Sequence, residues 1–201
     1  MDTEPQISIV GAGLLGSALA LYLAKYTDYK IAIIERAKPL NKPQGANQRV
    51  LALGEVAANF LSDICIFDVL DKSSCHPYSG MCVWDENSTG QLNFSADEYG
   101  KEQLGWMVDS QLLTYKLQQK LLQTSSIECH FSCQLESLTW RKQKAANISK
   151  LSFIDGNDEA ASLQSQLLIA ADGGRSWLRR QAKIFSNQFS YNQSALSLIH
   201  I

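Results

Sequence analysis

The segment Gly11-Ala12-Gly13-Leu14-Leu15-Gly16 constrains this chain more than any other six residues in it. It follows a short apolar run, QISIV at 6–10, that reads as a buried parallel strand. It opens a stretch, 14–26, with Leu15, Ala18, Leu19 and Tyr22 at the i, i+3, i+4, i+7 spacing of an amphipathic helix. Residues 30–35, KIAIIE, form a second buried strand ending in a carboxylate. Strand, helix and strand thus fall within about thirty residues, the length of one βαβ unit. In that setting each glycine has its own physical reason. Gly11 makes the tight turn, Gly13 lets a pyrophosphate approach the backbone, and Gly16 lets the helix pack close to the sheet. The helix N–H groups and positive dipole end then face the phosphates. Glu35 follows Gly16 by nineteen residues, where a carboxylate can accept hydrogen bonds from a ribose 2′-OH. Its charge would repel a 2′-phosphate, so the unit is predicted to bind FAD or NAD rather than NADP.

The remainder reads as alternating elements with no internal repeat and no long linker. A polar loop, 36–48, with Pro39, Pro43 and Gly45, leads to a predicted helix from about Val50 to Leu61. From 78 to 108 the pattern turns to short strands, YSGMCVW, QLNFSA and LGWMV, separated by polar turns. Residues 110–123 form an amphipathic helix with Leu113, Leu117 and Leu121 on one stripe and Lys116, Gln119 and Lys120 off it. Strands follow near 127–141 and 147–154, and the run 163–172 reads as one strand entering a second glycine turn. A short helix at about 175–182 and a final alternating strand to Ile201 complete the reading.

Composition removes several function classes. The formal net charge of the 201 residues is −2, and no Lys/Arg stripe is interleaved with aromatics, so no nucleic-acid surface is expected. Cys129, His130 and Cys133 invite a metal. In a strand, positions four apart share a face while His130 points away, and no second ligand pair exists. Free thiols in a reducing compartment are the expectation, with no metal. The N-terminus, MDTEPQ, has no basic leader pattern, and the longest apolar stretch, Leu14–Ala24, is too short to span a bilayer. A cytoplasmic protein is expected, with peripheral contact to the inner membrane left open.

The choice between cofactors rests on the second glycine turn, Ala171-Asp172-Gly173-Gly174-Arg175-Ser176-Trp177-Leu178-Arg179. Together with the first motif it resembles the ADGxxSxxR signature of the aromatic-ring flavin monooxygenases. VGAGLLGSALALYLA resembles the FAD fingerprint of their ubiquinone-biosynthesis hydroxylases. NQRVLALG is similar to the segment in which an arginine, here Arg49, approaches the flavin pyrophosphate. CHPYSGMCVWD and LGWMVDSQLL are similar to segments of a branch that hydroxylates a polyprenyl benzoquinol. The likeness runs through essentially the whole chain, in order.

The resemblance implies an α/β fold: a Rossmann-like FAD-binding parallel sheet with an inserted antiparallel β segment. It implies a discontinuous FAD-binding domain over 1–75 and 105–182, with 76–104 and 183–201 beginning a substrate-domain sheet. The chain has roughly half the family length, so the C-terminal part of that fold, with its later GD motif, is expected to be missing. The implied activity is ring hydroxylation of a polyprenyl quinol or phenol in ubiquinone biosynthesis, with FAD as cofactor, NADPH or NADH as transient electron donor, and O2. Other proteins of that pathway are implied as partners. Motif and resemblance together assign cofactor binding to Gly11, Gly13, Leu14, Leu15, Gly16, Glu35, Arg36, Arg49, Ser110, Asp172 and Gly173. Ala170 and Ser110 stand where the family has glycine and asparagine or arginine. No catalytic residue is assigned. His76, before Pro77 at a loop-to-strand junction, reads as structural rather than as an acid or base. Two rival readings remain, a non-catalytic nucleotide-binding or subunit-interaction fragment and an NAD-dependent dehydrogenase. The second lacks a His/Asp or Lys/Tyr arrangement after the βαβ unit.

Overall fold

The computed structural model describes residues 5–44, 49–71, 74–87, 89–142 and 147–192. The first unit forms as the glycine pattern requires: β1 (Ile7–Val10), α1 (Leu14–Tyr26) and β2 (Ile31–Ile34). Next come β3 (Val50–Gly54), α2 (Glu55–Asp63), β4 (Cys75–Tyr78), β5 (Gly80–Trp84), β6 (Gln91–Ser95), β7 (Gly105–Asp109) and α3 (Ser110–Gln123). The chain continues through β8 (Ile127–His130), β9 (Gln134–Lys142), β10 (Asn147–Ile154), β11 (Ala160–Ser165), β12 (Leu167–Ala170) and α4 (Trp177–Gln181).

A parallel sheet of order β12-β1-β2-β8 organises the fold, with Ile9 opposite Ile33 on one side and Ile169 on the other. Its two central strands, β1 and β2, are buried along their whole length and apolar at nearly every position because both faces are covered. Ile7, Ile9, Ile31 and Ile33 pack with Ala18 and Leu21 of α1 and Leu113, Leu117 and Leu121 of α3. Val10, Ala32 and Ile34 point the other way, onto Cys133, Leu151, Phe153, Leu163 and Leu178. Leu151, Phe153 and Leu163 belong to the antiparallel sheet β11-β10-β9, so helices, parallel sheet and antiparallel sheet form three layers. Phe153 is 1% exposed, and truncating it to alanine would cost about 3–5 kcal/mol. A second antiparallel sheet, β3-β7-β4, and the isolated hairpin β5-β6 complete the structure.

Five expectations change. The stretch from Val50 to Leu61 is a strand and then a helix: β3 pairs antiparallel with β7, and α2 starts only at Glu55. Backbone pairing to β7 outweighs local helix propensity there. The run 163–172 is two strands, because β11 completes the antiparallel sheet while β12 crosses to pair with β1. The buried face of α1 is Gly16, Ser17, Ala18, Ala20 and Leu21, while Leu15 is 76% and Tyr22 36% exposed. Gly16, Ser17, Ala18 and Ala20 let the helix sit close to its neighbours, Leu21 is buried with them, and Leu14, Leu19 and Leu23 pack against the same core while partly exposed. Cys129 and Cys133 do not share a face: β8 ends at His130, Ser132 adopts a φ of 60°, and the two thiols enter opposite cores. Residues 183–192 form no strand, and the rest of the expected final strand lies outside the described residues.

Candidate functional site

At the C-terminal edge of the parallel sheet, β1 ends in Gly11 with φ 106°, a conformation that favours glycine. A Cβ on Gly11 would collide with the carbonyl of Ala171, and one on Gly16 with the carbonyl of Gly11. Both glycines therefore serve close backbone approach. Gly13 differs: its φ is −70° and nothing lies within 4 Å of where its Cβ would be. It faces open space as the N-cap of α1. It supplies no side-chain cap, and the first turn of α1 holds no acidic residue. The positive end of this 13-residue helix is thus not neutralised from within the first turn.

Ala12, fully buried, is held by three side chains. Its N–H donates to Glu35 Oε2 at 2.8 Å, and its carbonyl accepts from Ser17 Oγ at 3.0 Å and Gln118 Nε2 at 2.7 Å. Glu35 also accepts from the Ala37 N–H through Oε1 at 2.9 Å. An ionised carboxylate offers about four lone-pair sites, so Glu35 can brace the turn and still accept from a ribose hydroxyl. Arg36 beside it is exposed, Leu14 is half-buried, and Leu15 projects into solvent at the helix start.

Arg49, exposed just before β3, has its carbonyl held by the Ser110 N–H at 3.1 Å and the Ser110 hydroxyl at 2.9 Å. Asp109 caps α3, accepting from the N–H groups of Gln111 and Leu112. Ser110 therefore ties the segment carrying Arg49 to the start of α3. In the second glycine turn Asp172 is a local brace. Its Oδ1 accepts from Ser176 Oγ at 2.5 Å and its Oδ2 from the Leu178 N–H at 3.0 Å. Gly173, φ 84°, is exposed beside it. A cleft lined by Trp140, Leu168, Asp172, Gly173, Arg179 and Ile184 adjoins this turn. His76 lies within β4, paired with Met107.

Sequence reading missed Gln118 and Ser17. The available signal was a buried-face position: Gln118 immediately follows Leu117 on the Leu113–Leu117–Leu121 stripe of α3 and is 4% exposed. A polar side chain so placed must find partners, and its partners lie in the glycine turn.

Turn, helix end and strand-end carboxylate together define a dinucleotide-binding α/β protein. Uncapped helix N–H groups, open space over Gly13 and a carboxylate at the end of β2 suit the adenosine diphosphate part of FAD. The chain belongs to the FAD binding domain family, whose match spans residues 4–199. It is 28% identical over 199 residues to the 3-demethoxyubiquinol 3-hydroxylase of Escherichia coli (strain K12), covering 98% of this chain and 48% of that protein. It is 28% identical over 208 residues to the mitochondrial ubiquinone biosynthesis monooxygenase COQ6 of Danio rerio, covering 97% and 42%. Among solved structures, a PqsL mutant of P. aeruginosa superposes with a TM-score of 0.72 at 16% identity, covering 94% of this chain and 48% of that one. The flavin-dependent monooxygenase PieE, in complex with FAD and substrate, gives a TM-score of 0.70 at 18% identity, covering 90% and 32%. These structures share the fold. The chain spans about half the length of the curated relatives it matches.

Proposed function

We propose that residues 1–201 form the FAD-binding part of a monooxygenase that hydroxylates the ring of a polyprenyl quinol or phenol in ubiquinone biosynthesis. The observation that carries this reading is the Gly11–Gly16 turn braced by Glu35, in a chain whose relatives include two ubiquinone-biosynthesis oxygenases. The adenosine half of the dinucleotide lies over Gly11–Gly16, where the N–H groups of α1 meet the pyrophosphate and Glu35 meets the ribose. Leu14 and Leu15 border that contact at the helix start, and Arg36 flanks the ribose carboxylate. Arg49, fixed through its backbone by Ser110, approaches the pyrophosphate from the other side. Asp172 and Gly173 shape the second turn beside the flavin. Residues 76–104 begin the sheet that covers the substrate. Bound FAD would supply activation of O2, using electrons from NADPH or NADH. The protein's own part is to place the cofactor and to exclude water around the reacting ring.

The apolar quinol brings the protein to the inner-membrane surface and alongside other proteins of the pathway. No helix among the described residues is long and apolar enough to cross a membrane. The test is to express the natural protein in full, with absorbance and turnover as readouts. A yellow protein that consumes O2 and a nicotinamide in the presence of a short-chain benzoquinol, yielding a ring-hydroxylated product, is expected. A colourless protein that binds NAD instead would move the assignment to a dehydrogenase.

A further inference from the structure

We infer that Gln118, a buried residue of α3, is a positioning residue that aims the Gly13 N–H at the dinucleotide. The inference rests on the reading that the dinucleotide lies over Gly11–Gly16. Gln118 is buried in α3, and its single amide group reaches two segments at once. Nε2 donates to the Ala12 carbonyl at 2.7 Å, while Oε1 accepts from the Leu40 N–H at 2.8 Å. Leu40 belongs to the stretch that leaves Glu35 and runs toward Arg49. One side chain thus links the glycine turn to the path between the proposed ribose and pyrophosphate contacts.

The consequence follows from peptide geometry. The Ala12 carbonyl and the Gly13 N–H belong to the same peptide group, and the chain has no cis peptide among its described residues. In a planar trans peptide, C=O and N–H point in opposite directions. Gln118 and Ser17 draw the Ala12 oxygen into the buried interior, so the Gly13 N–H is directed outward. Gly13 is itself exposed, and nothing lies within 4 Å of a Cβ built on it. Without those donors the buried carbonyl would lose partners, and the peptide could rotate to recover them. The preorganised donor would then be lost. Glu35 fixes the preceding peptide through the Ala12 N–H, so both peptides flanking Ala12 are set by side chains from just past β2, from α1 and from α3.

The test compares the 201-residue protein with Gln118→Met, Gln118→Glu and Ser17→Ala. FAD is titrated at a temperature where circular dichroism shows every variant folded. Gln118→Met removes both hydrogen bonds at similar volume, and Gln118→Glu keeps the acceptor for Leu40 but, when ionised, cannot donate to Ala12. Both variants should weaken FAD binding about tenfold or more, as expected when a buried polar group loses its partner. The Gly13 amide resonance in the FAD-free protein should shift or broaden in both. Ser17→Ala should be non-additive with Gln118→Met, because both donors serve one oxygen. Parent-like FAD affinity in Gln118→Glu would overturn the inference, as would weakened binding with an unmoved Gly13 amide. A parent protein that shows no FAD binding at any concentration would instead sink the dinucleotide reading beneath it.

Discussion

Replacing Gly11, Gly13 and Gly16 one at a time by alanine separates backbone fit from ligand approach. At Gly16 the new methyl meets the Gly11 carbonyl and lies 3.1 Å from the Ala171 Cβ. The oxygen is main chain at the end of β1, so α1 itself must shift. Overpacking of this kind costs about 1–3 kcal/mol. For a chain of this size, 1 kcal/mol corresponds to about 2–4 °C in Tm, so Gly16→Ala should melt roughly 2–12 °C lower. Gly11→Ala adds left-handed backbone strain to a collision with Ala171 and should lose at least as much. Gly13→Ala meets no neighbour at a φ of −70° and should change stability by less than about 1 kcal/mol. Its methyl nevertheless fills the space before the helix N–H groups, so FAD affinity should fall. Thermal melts followed by circular dichroism, paired with FAD titration, give both numbers. A Gly13→Ala protein that melts with Gly16→Ala yet binds FAD like the parent would refute the reasoning.

Two further outcomes concern side chains away from the turn. Burial, with a smaller contribution from Glu128, pushes the Cys129 thiol up to about 11. Labelling the native protein at pH 8 should therefore modify the exposed Cys65 and Cys82 well before Cys129, and mass spectrometry after brief exposure would read the order. Hydrogen bonds from Lys25 and then Tyr26 hold the Asp63 carboxyl below the usual aspartate range. Because the folded value is the lower one, the contribution is full above the ordinary carboxylate pKa and is lost as pH falls through the folded one. An NMR titration of the Asp63 carboxyl should show a depressed midpoint that returns to normal in Lys25→Ala combined with Tyr26→Phe.

The parallel sheet was legible because its code is local. Ile7–Val10 and Ile31–Ile34 are apolar at nearly every position, and the three glycines fix what joins them. The tight turn expected of Gly11 and the close helix packing expected of Gly16 follow from backbone distances that no other residue tolerates. What escaped was non-local. Val50–Gly54 becomes a strand only because β7 lies alongside it, and β12 leaves β11 only because β1 offers an open edge. Leu15 is exposed at the helix start and Tyr22 stacks on Phe60 of α2, and helical periodicity encodes neither placement. Gln118 reaches Ala12 across 106 residues of sequence, a pairing that no spacing rule could supply. Asp172, legible as a motif residue, is engaged in bracing Ser176 and Leu178.

The most direct measurement is an FAD titration of residues 1–201 at low and high salt, in the parent, in Glu35→Ala and in Arg49→Ala. The account predicts weak binding by the parent that weakens further with salt, because the proposed placement sets the pyrophosphate against helix N–H groups and the Arg49 guanidinium. Glu35→Ala removes a carboxylate that accepts the buried Ala12 N–H and that the proposed placement sets on the ribose, and it should cost about 1–3 kcal/mol of binding. Arg49→Ala should bind less tightly and respond less to salt. Parent affinity retained by Glu35→Ala at every salt concentration would contradict the placement of the dinucleotide over Gly11–Gly16.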